Sequence, residues 1–168
     1  KFVNYKQFQK FKDFVNEKGY PQLINEHFQA NHPKEHFTES YRRYAKSLIA
    51  VKGVEGKDKK TGLLFEFVLN ENPYDLKSNT LSANLFYKKR PIADQLVTIF
   101  SRKNGENLKI EHFETDKKGY VEFFVEGGRE YLMDSVIIYP KKGDPKKNEP
   151  IWHSLWASTT FLVPERTL

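Results

Sequence analysis

The sequence predicts a mainly β chain: an antiparallel β-sandwich of about seven strands, preceded by two or three short α-helices. Two observations carry this. Apolar side chains recur every three to four residues before Lys52 and every two residues after Gly62, so the type of secondary structure changes along the chain. Beyond Gly62 the apolar runs are short, and turn residues separate them about every 8–12 positions, as in two-sheet folds. The 168 residues suit one domain, or one domain with a helical appendage. The expected division is a helical segment over 1–52, packing on or linking to a sandwich domain over 53–168. A chain of this size buries roughly 70% of its unfolded surface. With 14 Phe and 9 Tyr it has the side chains to fill a core.

In the first region Phe8, Phe11, Phe14 and Val15 form one helical face that Gly19 and Pro21 terminate. Leu23, Ile24, His27 and Phe28 repeat the pattern up to Asn31 and Pro33. Phe37, Tyr41, Tyr44 and Leu48 stand at i, i+4, i+7 and i+11, which predicts a third helix with Thr38 as its cap. Residues 52–62, within VKGVEGKDKKTG, are poor in apolar side chains and read as a linker or long loop.

In Leu63–Leu69 the residues Leu63, Phe65, Phe67 and Leu69 share a face and Glu66 lies on the other. Asn72-Pro73-Tyr74 breaks that strand. Strands follow over Thr80–Tyr87, Gln95–Arg102, Leu108–Thr115, Tyr120–Val125, Tyr131–Tyr139 and Ser154–Val163. The turns between them are Lys88-Lys89-Arg90-Pro91, an Asn104-Gly105 hairpin and Asp116-Lys117-Lys118-Gly119.

Several function classes drop out. The chain has no cysteine, hence no disulfide framework, thiolate metal site or Cys nucleophile. No run approaches the roughly 18–20 apolar residues of a membrane-spanning helix. The net charge is +6, but the lysines cluster at Lys57–Lys60, Lys88–Arg90, Lys117–Lys118 and Lys141–Lys147, all in turns. Such lysines solubilise and protect edges, so no nucleic-acid partner is expected. The sequence shows no Gly-x-Ser-x-Gly elbow, no His-Glu-x-x-His and no phosphate-cradling glycine loop. His153 and Ser154 adjoin in a strand and point to opposite faces, so they form no dyad. A non-enzymatic binding module is the expectation. The chain opens on Lys1 rather than Met, which reads as a segment of a longer protein that has lost a leader, or a leader and a preceding domain.

His32 and His36 stand four apart with Glu35 between them, a spacing that clamps a metal on a helix, although Pro33 and the cap at Thr38 place them in a loop. The segment Trp152–Phe161 holds both tryptophans. On the structural reading it is the last strand, with Trp filling the core. On the functional reading Trp152, His153 and Trp156 stand at a binding rim, and Tyr74 joins them as a candidate binding residue.

Thr115-Asp116-x-x-Gly119-Tyr120, a tight turn before a strand, resembles the turn of transthyretin-like and carboxypeptidase-regulatory-like sandwiches, with an immunoglobulin-like layout of strands. Three further segments, in order, widen the resemblance: Tyr41-Arg42-Arg43-Tyr44-Ala45-Lys46, Glu71-Asn72-Pro73-Tyr74 and Trp152-x-Ser154-Leu155-Trp156-Ala157-Ser158. From about Phe8 to Pro164 the chain resembles a secreted bacterial family, a domain of unknown function linked with the periplasmic component of cobalt and nickel uptake systems. The resemblance implies a periplasmic or extracellular location, a role in nickel or cobalt uptake, and a membrane transporter or a preceding domain as partner. Relatives of this kind carry a His-Met pair in the penultimate strand, where this chain has Val136-Ile137-Ile138.

Overall fold

The computed structural model describes residues 1–51 and 55–165. Lys52 to Val54 of the predicted linker lie outside the described residues. The elements are β1 (Phe2–Tyr5), α1 (Phe8–Glu17), α2 (Gln22–Gln29), β2 (Phe37–Ser47), β3 (Phe65–Leu69), β4 (Thr80–Tyr87), β5 (Arg90–Pro91), β6 (Leu96–Arg102), β7 (Lys109–Glu114), β8 (Tyr120–Phe124), β9 (Arg129–Pro140) and β10 (Trp152–Val163). Among the described residues strand accounts for 44% and helix for 13%, with two α-helices and two open sheets. One sheet has six strands in the order β1-β2-β10-β9-β6-β7; in the other, β4 pairs with β3, β5 and β8.

The predicted strands after Gly62 are all present, within a few residues of their expected ends. The helix expected over Phe37–Leu48 is instead strand β2. Phe37, Thr38, Glu39 and Ser40 are all buried, on both faces of the strand, which erases the alternation that would have marked it. The Asn104-Gly105 hairpin joins β6 and β7, which pair antiparallel. β6 ends at Arg102 and β7 begins at Lys109, and Gly105 takes a left-handed φ of 82° within that loop.

The chain forms two compact units. The first joins Lys1–Arg43 to Val136–Trp156. In it α1 buries Phe11 and Val15, and α2 buries Leu23 and His27. Gly19, at φ 81°, turns the chain after α1. Phe11 stacks on Trp152 at 5.2 Å and meets Phe37 edge-on at 5.5 Å. Val136, Ile138 and Ile151 complete this core, so the positions where a His-Met pair is expected in relatives serve packing here.

The second unit joins Tyr44–Ser135 to the segment from Ala157 onward. Rings from both sheets meet inside it. Phe123 of β8 lies 6.0 Å from Phe113 of β7 and 6.4 Å from Tyr131 of β9, and Tyr131 stacks on Phe161 at 5.3 Å. The Asp116 turn forms as its residue types require. The Asp116 carboxylate accepts the N–H groups of Lys118 and Tyr120 at 2.7 and 2.8 Å. Gly119 sits at φ 68°, and a Cβ there would stand 2.7 Å from the Leu85 carbonyl oxygen. Gly119→Ala should therefore lower stability by about 2 kcal/mol in chemical denaturation, the cost of a left-handed Ala plus a backbone shift. A loss below a few tenths of a kcal/mol would contradict that geometry.

Candidate functional site

In the first unit, strand alternation sets one row of side chains on a common face. Tyr5 pairs in register with Phe37, and Val3 with Glu39, so these four share that face, and Tyr41 and Arg43 continue it along β2. Trp152, Ser154 and Trp156 supply the same face from β10. Helices α1 and α2 cover the end that holds Phe37 and Trp152. The cover stops at Phe14, whose ring stacks on Trp156 at 5.8 Å. Beside it opens a groove of about 200 Å³, walled by Tyr41, Arg43 and Trp156 with Glu39 at its floor.

Glu39 is 2% exposed. One carboxyl oxygen accepts the Tyr5 hydroxyl at 2.5 Å and the other accepts the Ser154 hydroxyl. The Ser154 oxygen in turn accepts the Trp156 indole N–H at 2.9 Å. Burial pushes the Glu39 carboxyl above the usual carboxylate range, while the two hydroxyls pull it part of the way back. Burial and the neighbouring carboxyl push the Tyr5 phenol up, so it remains a donor. Ser154 is fully buried, with its proton spent on Glu39 and its lone pair on Trp156. The chain of bonds holds the Trp156 ring in place. The exposed Arg43 guanidinium lies 4.8 Å from the Trp156 ring centre, so the rim is cationic and aromatic, and the buried Lys18 ammonium lies 5.0 Å from the same ring.

The candidate residues from the sequence separate. Trp156 walls the groove. Trp152 is 1% exposed, and its indole N–H goes to His27 Nδ1 at 3.1 Å, which places it in the core and not at a rim. His27 in turn shares a hydrogen bond between Nε2 and the Pro33 carbonyl at 2.9 Å. His153 faces the opposite side of β10, where Nδ1 lies 2.6 Å from the Ser40 hydroxyl oxygen and the ring packs against Tyr139 at 5.1 Å. Tyr74 belongs to the second unit. Asn72 bonds the Tyr74 N–H at 3.0 Å to shape the turn, and the Tyr74 hydroxyl donates to the Leu48 carbonyl at 2.7 Å.

His32 and His36 lie in the loop before β2. The His32 ring packs on His27 at 5.3 Å and on Trp152 at 6.1 Å, and burial lowers its pKa. His36 is exposed, with a left-handed φ of 54° that turns the chain into β2. Among the described residues no group of three or more His, Cys, Asp or Glu side chains could hold a metal ion.

Tyr5, Glu39, Tyr41 and Arg43 escaped the sequence reading as site residues. Taken at a period of two, Phe37, Glu39, Tyr41 and Arg43 fall on one face, and a carboxylate between two aromatic positions is the signal that would have found them.

A family model matches residues 1–138, and its description is a domain of unknown function, DUF4198. No curated protein matches the chain, and no solved structure does.

Proposed function

The chain belongs to the DUF4198 family, a domain of unknown function, and from that premise we propose that it is a non-catalytic, extracytoplasmic binding module that grips a protein partner at the Trp156 groove. The carrying observation is the wall of Tyr41, Arg43 and Trp156 around a groove of about 200 Å³. Tyr, Arg and Trp are the residue types that concentrate binding energy at protein interfaces. A groove this small lies below the roughly 300–1,000 Å³ of small-molecule sites and suits one inserted partner side chain. The buried, fully engaged hydroxyls of Tyr5 and Ser154 support holding over reacting. We read the two facing sheets as a transthyretin-like sandwich that carries this surface at the periplasmic or cell-surface location expected of the family.

The partner this reading names is a component of a membrane transporter, with the module accessory to nickel or cobalt uptake. Co-purification of tagged chain with the transporter components from the native host tests it. Trp156→Ala and Arg43→Glu should each cut recovery about tenfold, as loss of an interface anchor does, and Arg43→Glu, on an exposed side chain, should do so with the melting temperature held. Equal recovery with both variants would remove the groove from the interface. The metal clause is separate and rests on the family resemblance. Calorimetric titration with Ni²⁺, Co²⁺ and Zn²⁺ decides it, and no heat at micromolar metal would leave the module without it. The alternative is a structural or adhesion-type domain that binds protein or glycan through exposed aromatics on one face; burial of Trp152 counts against it, while Tyr41 and Trp156 share the groove wall.

A further inference from the structure

The second unit carries a larger groove of about 620 Å³, which shares no residue with the Trp156 site. Its floor follows from register. Phe100 of β6 pairs with Leu132 of β9, and Arg102 with Glu130. Alternation sends Ser101, Tyr131 and Phe161 into the core and leaves Phe100, Leu132 and Leu162 on the open face. Leu108 closes one side at 55% exposure. The other side is the segment at Leu48 and Ile49, where Ile49 is 77% exposed. The bond from Tyr74 to the Leu48 carbonyl, at 2.7 Å, fixes that wall.

At one end Arg102 pairs with Glu130 at 2.8 Å, and both side chains are mostly exposed. Such a surface pair contributes little, so the guanidinium is free to turn to an anion brought by a ligand. At the other end the hydroxyls of Ser47 and Thr160 bond each other at 2.7 Å. The volume falls within the roughly 300–1,000 Å³ of ligand pockets. The floor strands β6, β9 and β10 are interior to the six-stranded sheet. Their backbone groups face neighbouring strands, so an extended peptide could not add itself by main-chain bonds as it does at a sheet edge.

We propose that this groove binds a free single-chain amphiphile, an acyl chain along Phe100, Leu132 and Leu162 with its anionic head at Arg102. The site stands whether or not the Trp156 groove grips a protein. The probe is a dansylated medium-chain fatty acid, followed by its fluorescence in buffer without vesicles. Saturable one-to-one binding in the micromolar range is expected, with displacement by unlabelled long-chain fatty acid. Leu132→Glu and Ile49→Glu should each weaken binding about tenfold or more. Arg102→Glu should weaken the fatty acid severalfold while sparing an alkyl alcohol of equal length. Far-UV circular dichroism confirms that each variant is folded. Three outcomes overturn the proposal: no saturable binding up to about 100 µM probe, binding indifferent to both wall variants, or a concentration-dependent dimer whose formation alone excludes the probe.

Discussion

Lys46→Met is expected to remove about 3–5 kcal/mol of stability in urea denaturation, the usual cost of stranding buried charge. Lys46 reaches both carboxylate oxygens of Asp58 at 3.0 Å and stands 3.9 Å from Glu66. All three side chains are less than a tenth exposed. Asp58 also accepts the Leu69 N–H at 2.9 Å, which ties the segment before β3 to the end of that strand. Burial pushes the Glu66 carboxyl up, but the N–H and hydroxyl of Thr61, the N–H of Gly62 and the Lys46 charge together hold it below the usual carboxylate range. A carboxyl depressed in the folded state adds stability above its unfolded pKa and loses it as pH falls through the folded value. The wild type should therefore weaken steadily on acidification, and Lys46→Met should show a shallower acid limb because part of the depression is gone. Neutralising the whole cluster, with Asp58→Asn and Glu66→Gln added, should recover part of the loss. If Lys46→Met alone costs under about 1 kcal/mol, the cluster is effectively solvated.

That cluster also explains how far the sequence could be read. The stretch over 52–62 read as a linker or long loop because apolar residues are scarce in it, and Asp58, Thr61 and Gly62 in it are held by charge and hydrogen bonds that no hydrophobic period reveals. The strands after Gly62 were legible where burial alternates, as in β8, and where a turn whose residue types state its geometry precedes them, as Asp116 and Gly119 do. Strand β2 was not. Its first four residues are buried on both faces, and its aromatic residues Phe37, Tyr41 and Tyr44 happen to fit a helical stripe as well. The error carried into the site. A helical reading scatters Glu39, Tyr41 and Arg43 around an axis, whereas the strand aligns them with Tyr5 and Ser154 across two neighbours. Trp156 was legible as a candidate because it is aromatic in a distinctive segment, but the carboxyl beneath it depends on pairing between residues 34 and 115 positions apart.

That carboxyl yields the second large effect. Glu39→Ala should cost about 3 kcal/mol at pH 5, because it strips the acceptor from two buried hydroxyls at roughly 1–3 kcal/mol each. Glu39→Gln should behave differently, since the amide oxygen accepts from Ser154 and the amide nitrogen donates to Tyr5. The sign with pH follows from burial, which raises the Glu39 pKa in the folded state. A carboxyl raised on folding gives its full contribution below the unfolded pKa and loses it as pH climbs through the folded value. The charged groups near its bond partners are Arg43 and Lys18, both at the Trp156 ring. Wild type and Glu39→Gln should thus be close in stability near pH 4, and the wild type should fall behind as pH rises toward 8. Each unit of pKa elevation contributes about 1.4 kcal/mol to that gap. Thermal denaturation of both proteins across the range measures it directly. Parallel curves would mean that Glu39 titrates as a solvated side chain does, and the floor assigned to the Trp156 groove would then be open to water.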